Sequence, residues 1–519
     1  MSKETLWSLT ANNLRRFESN IAWTRRLPKG KKEHFTYRQI LLAAGNFAAI
    51  LRDQGIGENG RVGILAANGP EWGIAAFAAW KLGAILAPLH SGNSDEELRG
   101  QNKALKTDIV LYAGDARGLP KSFEIQCDFC AESAASELVL EQQYALDNVA
   151  LHITTSGSTG NPRVVVLSHD NIISNVRGVD TMDLKVDGSD KFLSLLPLSH
   201  CMELTAGLIL PLCHGSTIVL PRVLAANEIL ESLVDDKISI LIAVPRLFRN
   251  IKQGIEKKVE AGGWPMALYL TVLRFSPLFL KHFLNKPLRK KIAPAMKVWA
   301  SGGSRLDPEI AMFYRQIGFP MRQGYGLTEC SPLVALQYGW DKVLDGVGKP
   351  FAGMGCDIRN PAANGSGELW VSGPNVMLGY LDDDPDNPSI IDGWFNTGDI
   401  AKWVSGRIVL TGRSKRLIVT EAGKNVYPED LEVLLERDPA VAEAGIVEVD
   451  VRAAAVLAIE DENRVEVARE VIKSYNVRVS SHNQIVRFAV VAQLPRTPLG
   501  KIALAQLPQV FSENEVESH

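Results

Sequence analysis

The chain has 519 residues, six cysteines and a formal charge of −3, with 46% hydrophobic and 22% charged residues. That length exceeds one ordinary core and predicts two or more domains. The balance is globular rather than disordered, and the near-neutral charge gives no electrostatic case for nucleic acid or an acidic surface.

Residues 1–26 carry mixed charge and no signal-type apolar run, and no apolar stretch elsewhere reaches membrane-span length. A cytoplasmic location is therefore expected. Apolar residues at helical spacing predict a helix over 37–54, stopped by Gly55. A strand over 61–66, a helix over 71–82 and a strand over 84–89 follow. Cys127 and Cys130 form C-x-x-C, but no second pair completes a zinc site. Reduced thiols are the preferred reading, with a redox role as the alternative. The α/β rhythm returns with strands over 216–220 and 238–244 around a helix over 227–236.

Within 264–284 only Arg274 is charged between 266 and 280, and Lys281, Lys286, Arg289, Lys290 and Lys291 follow. Apolar residues beside basic ones suit the inner face of a membrane. They equally suit a buried helical hairpin capped by solvated lysines. From about 340, Gly, Pro, Asp and Asn punctuate short strands, including 368–371 and 407–410. A further α/β unit then has helices over 428–436 and 464–475 and strands over 453–459 and 485–491. The expected fold class is α/β. It comprises a large N-terminal domain (1–411) of layered α/β subdomains plus a β-rich subdomain, a hinge (412–415), and a small C-terminal α/β domain (416–519).

The most informative stretch runs from Leu151 to Arg163. After an apolar lead-in, residues 154–160 are all Gly, Ser or Thr, and Arg163 adds a positive charge. Small residues let backbone N–H groups approach phosphate oxygens, and the hydroxyls can donate too. The loop lacks the Walker pattern. Taken alone, a plain Gly/Ser connector is the competing reading.

Other motifs follow in order. The stretch resembles the signature loop of the adenylate-forming (acyl-activating) superfamily, with Thr155, Ser156, Gly157, Ser158, Thr159, Gly160 and Arg163 in the phosphate-binding positions. Arg163 and Val164 stand where the usual form has lysine and glycine. Arginine keeps the charge with a different head group. A β-branched residue at 164 would disfavour a positive φ if the loop required one. Pro197-Leu-Ser-His200 resembles the segment whose histidine lines the carboxylate pocket. Ser301, Gly302 and Gly303 resemble the turn beside the adenine and acyl sites. Gln323-Gly324-Tyr325-Gly326-Leu327-Thr328-Glu329 resembles the motif in which tyrosine stacks on adenine, threonine meets phosphate and glutamate holds magnesium. An aromatic face suits a flat base, and carboxylate oxygen suits Mg²⁺.

Asp399 in Trp394-Phe-Asn-Thr-Gly-Asp399 and Arg413 resemble the ribose-binding pair, and Lys415 matches the hinge position. Gly423, within Gly423-Lys-Asn-Val-Tyr-Pro-Glu429, resembles the stretch that faces pantetheine. Lys501, in Pro495-Arg-Thr-Pro-Leu-Gly-Lys501, matches the catalytic lysine. These resemblances span about 36–507 and point towards bacterial long-chain fatty acyl-CoA synthetases.

The resemblance implies ATP- and Mg²⁺-dependent activation of a medium- or long-chain fatty acid to acyl-AMP. Transfer to the thiol of CoA follows, with a mobile C-terminal domain that alternates between the two steps. Lys501, Thr328, Glu329 and His200 are the expected catalytic groups, and Glu329 the metal ligand. The alternatives are transfer to the phosphopantetheine of acyl carrier protein, closure of a β-lactone, or a non-catalytic acyl- or nucleotide-binding relative. No G-x-S-x-G elbow supports a serine hydrolase.

Overall fold

The computed structural model describes residues 4–130, 148–155, 163–261, 263–319, 321–420, 424–496 and 502–516. The chain divides into two compact units. The first holds 1–155, 164–355 and 371–395. The second holds 156–163, 356–370 and 396–519. The second unit thus takes in the strands before 412 as well as the residues after 415.

Two sheets organise the first unit. Among the described residues, nine strands form one sheet. Its centre is Met321–Gly326, Val298–Ser301, Ile240–Ala243, Lys191–Leu193 and Thr217–Leu220, all parallel. The other has seven strands, with Val149–Thr154, Ile85–Pro88, Arg61–Leu65 and Ile109–Tyr112 parallel at its centre. The helix Pro70–Lys81 is nearly all apolar or small, and ten of its twelve residues are buried. A helix apolar all round can be stable only inside a core. Its neighbour Tyr37–Asp53 has a polar face and starts with a capping box made by Thr36 and Gln39.

Open parallel sheets present their functional groups beyond the carboxyl ends of the strands. Ser301 ends one such strand, and Glu329 follows another by three residues. The strand Val149–Thr154 leads into the glycine–serine loop, and Val164–Ser168 returns antiparallel, with Thr154 opposite Val164. Val164 is thus extended, and its buried side chain packs among Leu65, Ala87 and Leu89. The left-handed geometry considered from the sequence is not used there, and a β-branched residue suits the strand it occupies.

The second unit contains a four-stranded sheet and, from Asn396 on, the hairpin of Trp394–Val404 with Arg407–Arg413. In Arg452–Ala458 the side chains alternate: Ala453, Ala455 and Leu457 join one core, and Ala454, Val456 and Ala458 another. That period of two lets helices cover both faces. Pro428–Leu435 and Arg464–Arg478 pack on one, and Leu507–Asn514 on the other.

Candidate active site

Three stretches of the first unit meet. Ser301 pairs with Gln323 in parallel register, so the turn 301–303 lies beside the strand carrying Tyr325. Gly303 has φ +82°, which favours glycine. A Cβ at Gly302 would lie 3.0 Å from the sulfur of Met202, which places the residues after His200 over this turn. Tyr325 is buried. A Cβ at Gly326 would stand 1.8 Å from the carbonyl oxygen of Pro332, so only glycine permits this bulge.

Thr328 and Glu329 follow on a 3₁₀ turn, Thr328–Cys330. Two asparagines from distant parts of the chain hold that turn. The Nδ2 of Asn175 donates to the carbonyls of Cys330 and Leu333 at 3.0 and 2.8 Å. Asn375 donates to the same two carbonyls at 2.7 and 2.9 Å. Both asparagines are buried. The Tyr380 hydroxyl donates to Glu329 Oε1 at 2.8 Å. Tyr380 lies on a short strand paired with Val165. Glu329 is therefore aimed by partners that lie elsewhere in the sequence.

His200 follows the turn closed by its N–H on Pro197. Asn68 holds the segment ahead of it, accepting from the Leu198 N–H at 2.9 Å and donating to the Leu196 carbonyl at 2.7 Å. Ser194 donates to Glu203 at 2.6 Å. Burial pushes the Glu203 carboxyl up to about 8, so it is protonated at neutral pH. Burial likewise pushes the Cys201 thiol up to about 12, which makes it a poor nucleophile. The His200 ring meets the His90 ring edge-on, with centroids 4.7 Å apart. Burial lowers His90 to about 4, and it stays neutral.

In the second unit, Asp399 and Arg413 face each other in the hairpin register, with Nε to Oδ1 at 3.1 Å. Lys415 is exposed on the turn Ser414–Arg416. Its neighbour Arg416 donates to Glu429 and Glu432 at 2.9 and 2.5 Å. Thr155 directly follows its strand, and Arg163 is exposed just before the next. Ser156, Gly157, Ser158, Thr159, Gly160, Gly423 and Lys501 lie outside the described residues.

Ser301 Oγ and Gln323 Oε1 are buried without a hydrogen-bond partner among the described residues. Burying an unpaired polar atom costs about 1–3 kcal/mol. The two residues face each other in register on neighbouring strands. Among the described residues no three acidic, histidine or cysteine groups cluster as a metal site. Mg²⁺ typically takes one or two carboxylates and completes its shell with phosphate and water, so Glu329 alone fits it.

Residues 11–381 match the AMP-binding enzyme family. The chain is 30% identical over 437 residues to the 2-succinylbenzoate–CoA ligase of Bacillus velezensis, covering 80% of each chain. It is 25% identical over 452 residues to the long-chain-fatty-acid–CoA ligase heimdall of Drosophila melanogaster, covering 75% of this chain and 66% of that one. The structure of o-succinylbenzoate CoA synthetase (MenE) from Bacillus subtilis with its acyl-adenylate intermediate OSB-AMP has the same fold, at 22% identity, 98% coverage of both chains and TM-score 0.77. The same enzyme with ATP and magnesium ion gives TM-score 0.76 at 23% identity, over 96% of this chain and 99% of that one.

The fold and these relatives define an adenylate-forming acid–thiol ligase. The chain belongs to the AMP-binding enzyme family.

The residues that sequence reasoning missed are the ones that hold the motifs: Asn68, His90, Asn175, Asn375, Gln337 and Tyr380. Gln337 accepts from the Gln323 N–H at 2.9 Å. Asn175 left one trace, a polar residue on the apolar face of the helix His169–Asp180. The others read as ordinary loop or strand positions.

Proposed function

We propose that the chain activates a medium- or long-chain fatty acid with ATP and Mg²⁺, releases pyrophosphate, and passes the acyl group to the thiol of CoA. The arrangement of Ser301, Gln323, Tyr325 and Glu329 along adjoining strands carries this reading. Ser301 and Gln323 pair on neighbouring strands, with Tyr325 further along the second and Glu329 just past its end, in the order the motif resemblance requires. The Gly423–Glu429 resemblance supports a fatty acid, and heimdall is a fatty-acid ligase among relatives that also include a succinylbenzoate ligase.

Two anions, the carboxylate and the α-phosphate, must meet, so alignment and charge neutralisation are the main tasks. Glu329 would hold Mg²⁺, which neutralises phosphate charge when bound. The loop 155–163 would cradle the leaving pyrophosphate. His200 would line the carboxylate pocket, Asp399 and Arg413 would hold the ribose, and Lys501 would bridge the reacting oxygens. Residues 416–519 would turn about the hinge 412–415 between the two steps, withdrawing Lys501 and presenting Gly423 to pantetheine.

Peripheral membrane contact is part of the reading. Leu268, Val272 and Phe275 recur at helical spacing and are exposed on Gly263–Phe275, while Leu270 and Leu273 are buried. Exposed Phe283 lies under Lys286 at 4.9 Å. An apolar face with cations beside it suits an anionic bilayer. Among the described residues no helix is long and apolar enough to cross a membrane.

The test is pyrophosphate release with ATP, Mg²⁺ and a panel of acids, with and without CoA. Fatty-acid-dependent release with acyl-CoA formation is expected. Release with succinylbenzoate alone would overturn the fatty-acid assignment, and release without acyl-CoA would move the reading to acyl carrier protein or another acceptor. Lys501→Ala is expected to abolish adenylation yet spare thioester formation from supplied acyl-AMP.

A further inference from the structure

One side chain bonds both the end of the strand that enters the glycine–serine loop and the backbone of His90, the neighbour of His200. Gln101 projects from the helix Asp95–Leu105, which begins with a capping box made by Ser94 and Glu97. Its Nε2 donates to Thr154 Oγ1 at 2.9 Å and reaches the Pro88 carbonyl at 3.4 Å. Thr154 is the last residue of the strand entering the loop. The Oε1 of Gln101 accepts from the His90 N–H at 3.0 Å and from Asn93 Nδ2 at 3.1 Å. Beyond His90 the path continues. Its Nδ1 bonds Ser199 Oγ at 2.5 Å, and its ring meets His200 edge-on. His90 and Asn93 are buried, so water cannot readily replace these bonds.

We propose that Gln101 is a positioning strut that sets the loop strand at Thr154 and the His90–Ser199–His200 cluster at a fixed separation. Reactant alignment would then depend on one residue that touches neither reactant. A primary amide suits this task because it donates at one end and accepts at the other. Positioning matters because small misplacements of two reactants cost large factors in rate. The inference rests on the proposed roles of loop 155–163 and His200.

Three variants of the full chain test it by pyrophosphate release. Gln101→Met keeps length and helix propensity but loses every bond. It is expected to raise the KM of both ATP and the acid at least fivefold. Thr154→Val cuts the loop arm alone and should raise the KM of ATP only. His90→Phe cuts the link to Ser199 and should raise the KM of the acid only. If Gln101→Met leaves both KM values within twofold while Tm falls, the side chain is merely structural and the proposal is overturned. It is likewise overturned if Thr154→Val and His90→Phe each move both KM values alike. Absence of pyrophosphate release by the unsubstituted chain with every acid would sink the functional reading, and the strut with it.

Discussion

Glu329, proposed to hold Mg²⁺, and Asp399, proposed to hold the ribose, are both carboxylates, yet they are held in different ways. Glu329 stands on a turn secured by Asn175, Asn375 and Tyr380, which come from far along the chain. Asp399 is paired with Arg413 by the register of one hairpin. The first arrangement is tertiary, with buried asparagines around a half-buried Glu329. The second is local: Asp399 is buried, and its partner Arg413 keeps a side chain 54% exposed. Substitutions near Glu329 should therefore cost stability and activity together, whereas those at Asp399 should cost activity with little stability.

Gly326→Ala should have the largest effect. Its methyl would collide with a backbone carbonyl that cannot swing aside. A loss of roughly 3 kcal/mol or more is expected, in the range of severe backbone and packing changes. Denaturant melts measure it, and a loss under about 1 kcal/mol would mean that the bulge relaxes freely.

Next comes Asn375→Leu, which takes one of two donors from each of the Cys330 and Leu333 carbonyls. About 2 kcal/mol is expected, with loss of adenylation as Glu329 shifts. The double variant Asn175→Leu/Asn375→Leu should lose more than the sum, because each carbonyl then loses both asparagine donors. Strict additivity would show that the asparagines act separately.

Glu203 separates the regions by pH. Its folded carboxyl titrates near 8 against an ordinary 4.5, so between these values the unfolded chain binds fewer protons. Stability from this group therefore falls as pH rises from about 4.5 to 8. Glu203→Gln should remove that slope. Its Tm relative to the parent should climb steadily from pH 5 to pH 8, and a constant difference would mean that the carboxyl is ionised in the fold.

Asp399→Asn should have the smallest effect on stability, within about 1 kcal/mol, because a partly exposed ion pair contributes little. The KM for ATP should nevertheless rise about tenfold, the loss expected when a charge-assisted hydrogen bond is weakened. An equal fall in Tm and activity would erase the contrast with Glu329.

The same contrast explains what could be read in advance. The helix expected over 71–82 and the strand expected over 61–66 appear as Pro70–Lys81 and Arg61–Leu65, because their patterns are local and periodic. The sequence also marks Gly326 as part of a motif, but the carbonyl that demands a glycine there belongs to Pro332 across a bulge. Val164 reads as a departure from the expected loop, whereas its strand pairing makes it an ordinary buried valine.

By itself, then, the sequence determined the α/β class, most elements and the ordered motifs from the glycine–serine loop to Arg413, since each depends on neighbours within a few residues. Only the tertiary structure decided which side chains support them. Gln101 meets Thr154 across 53 positions, and Asn175 meets Cys330 across 155. A hydrogen bond requires atoms close in space, and chain periodicity carries no record of partners that far away.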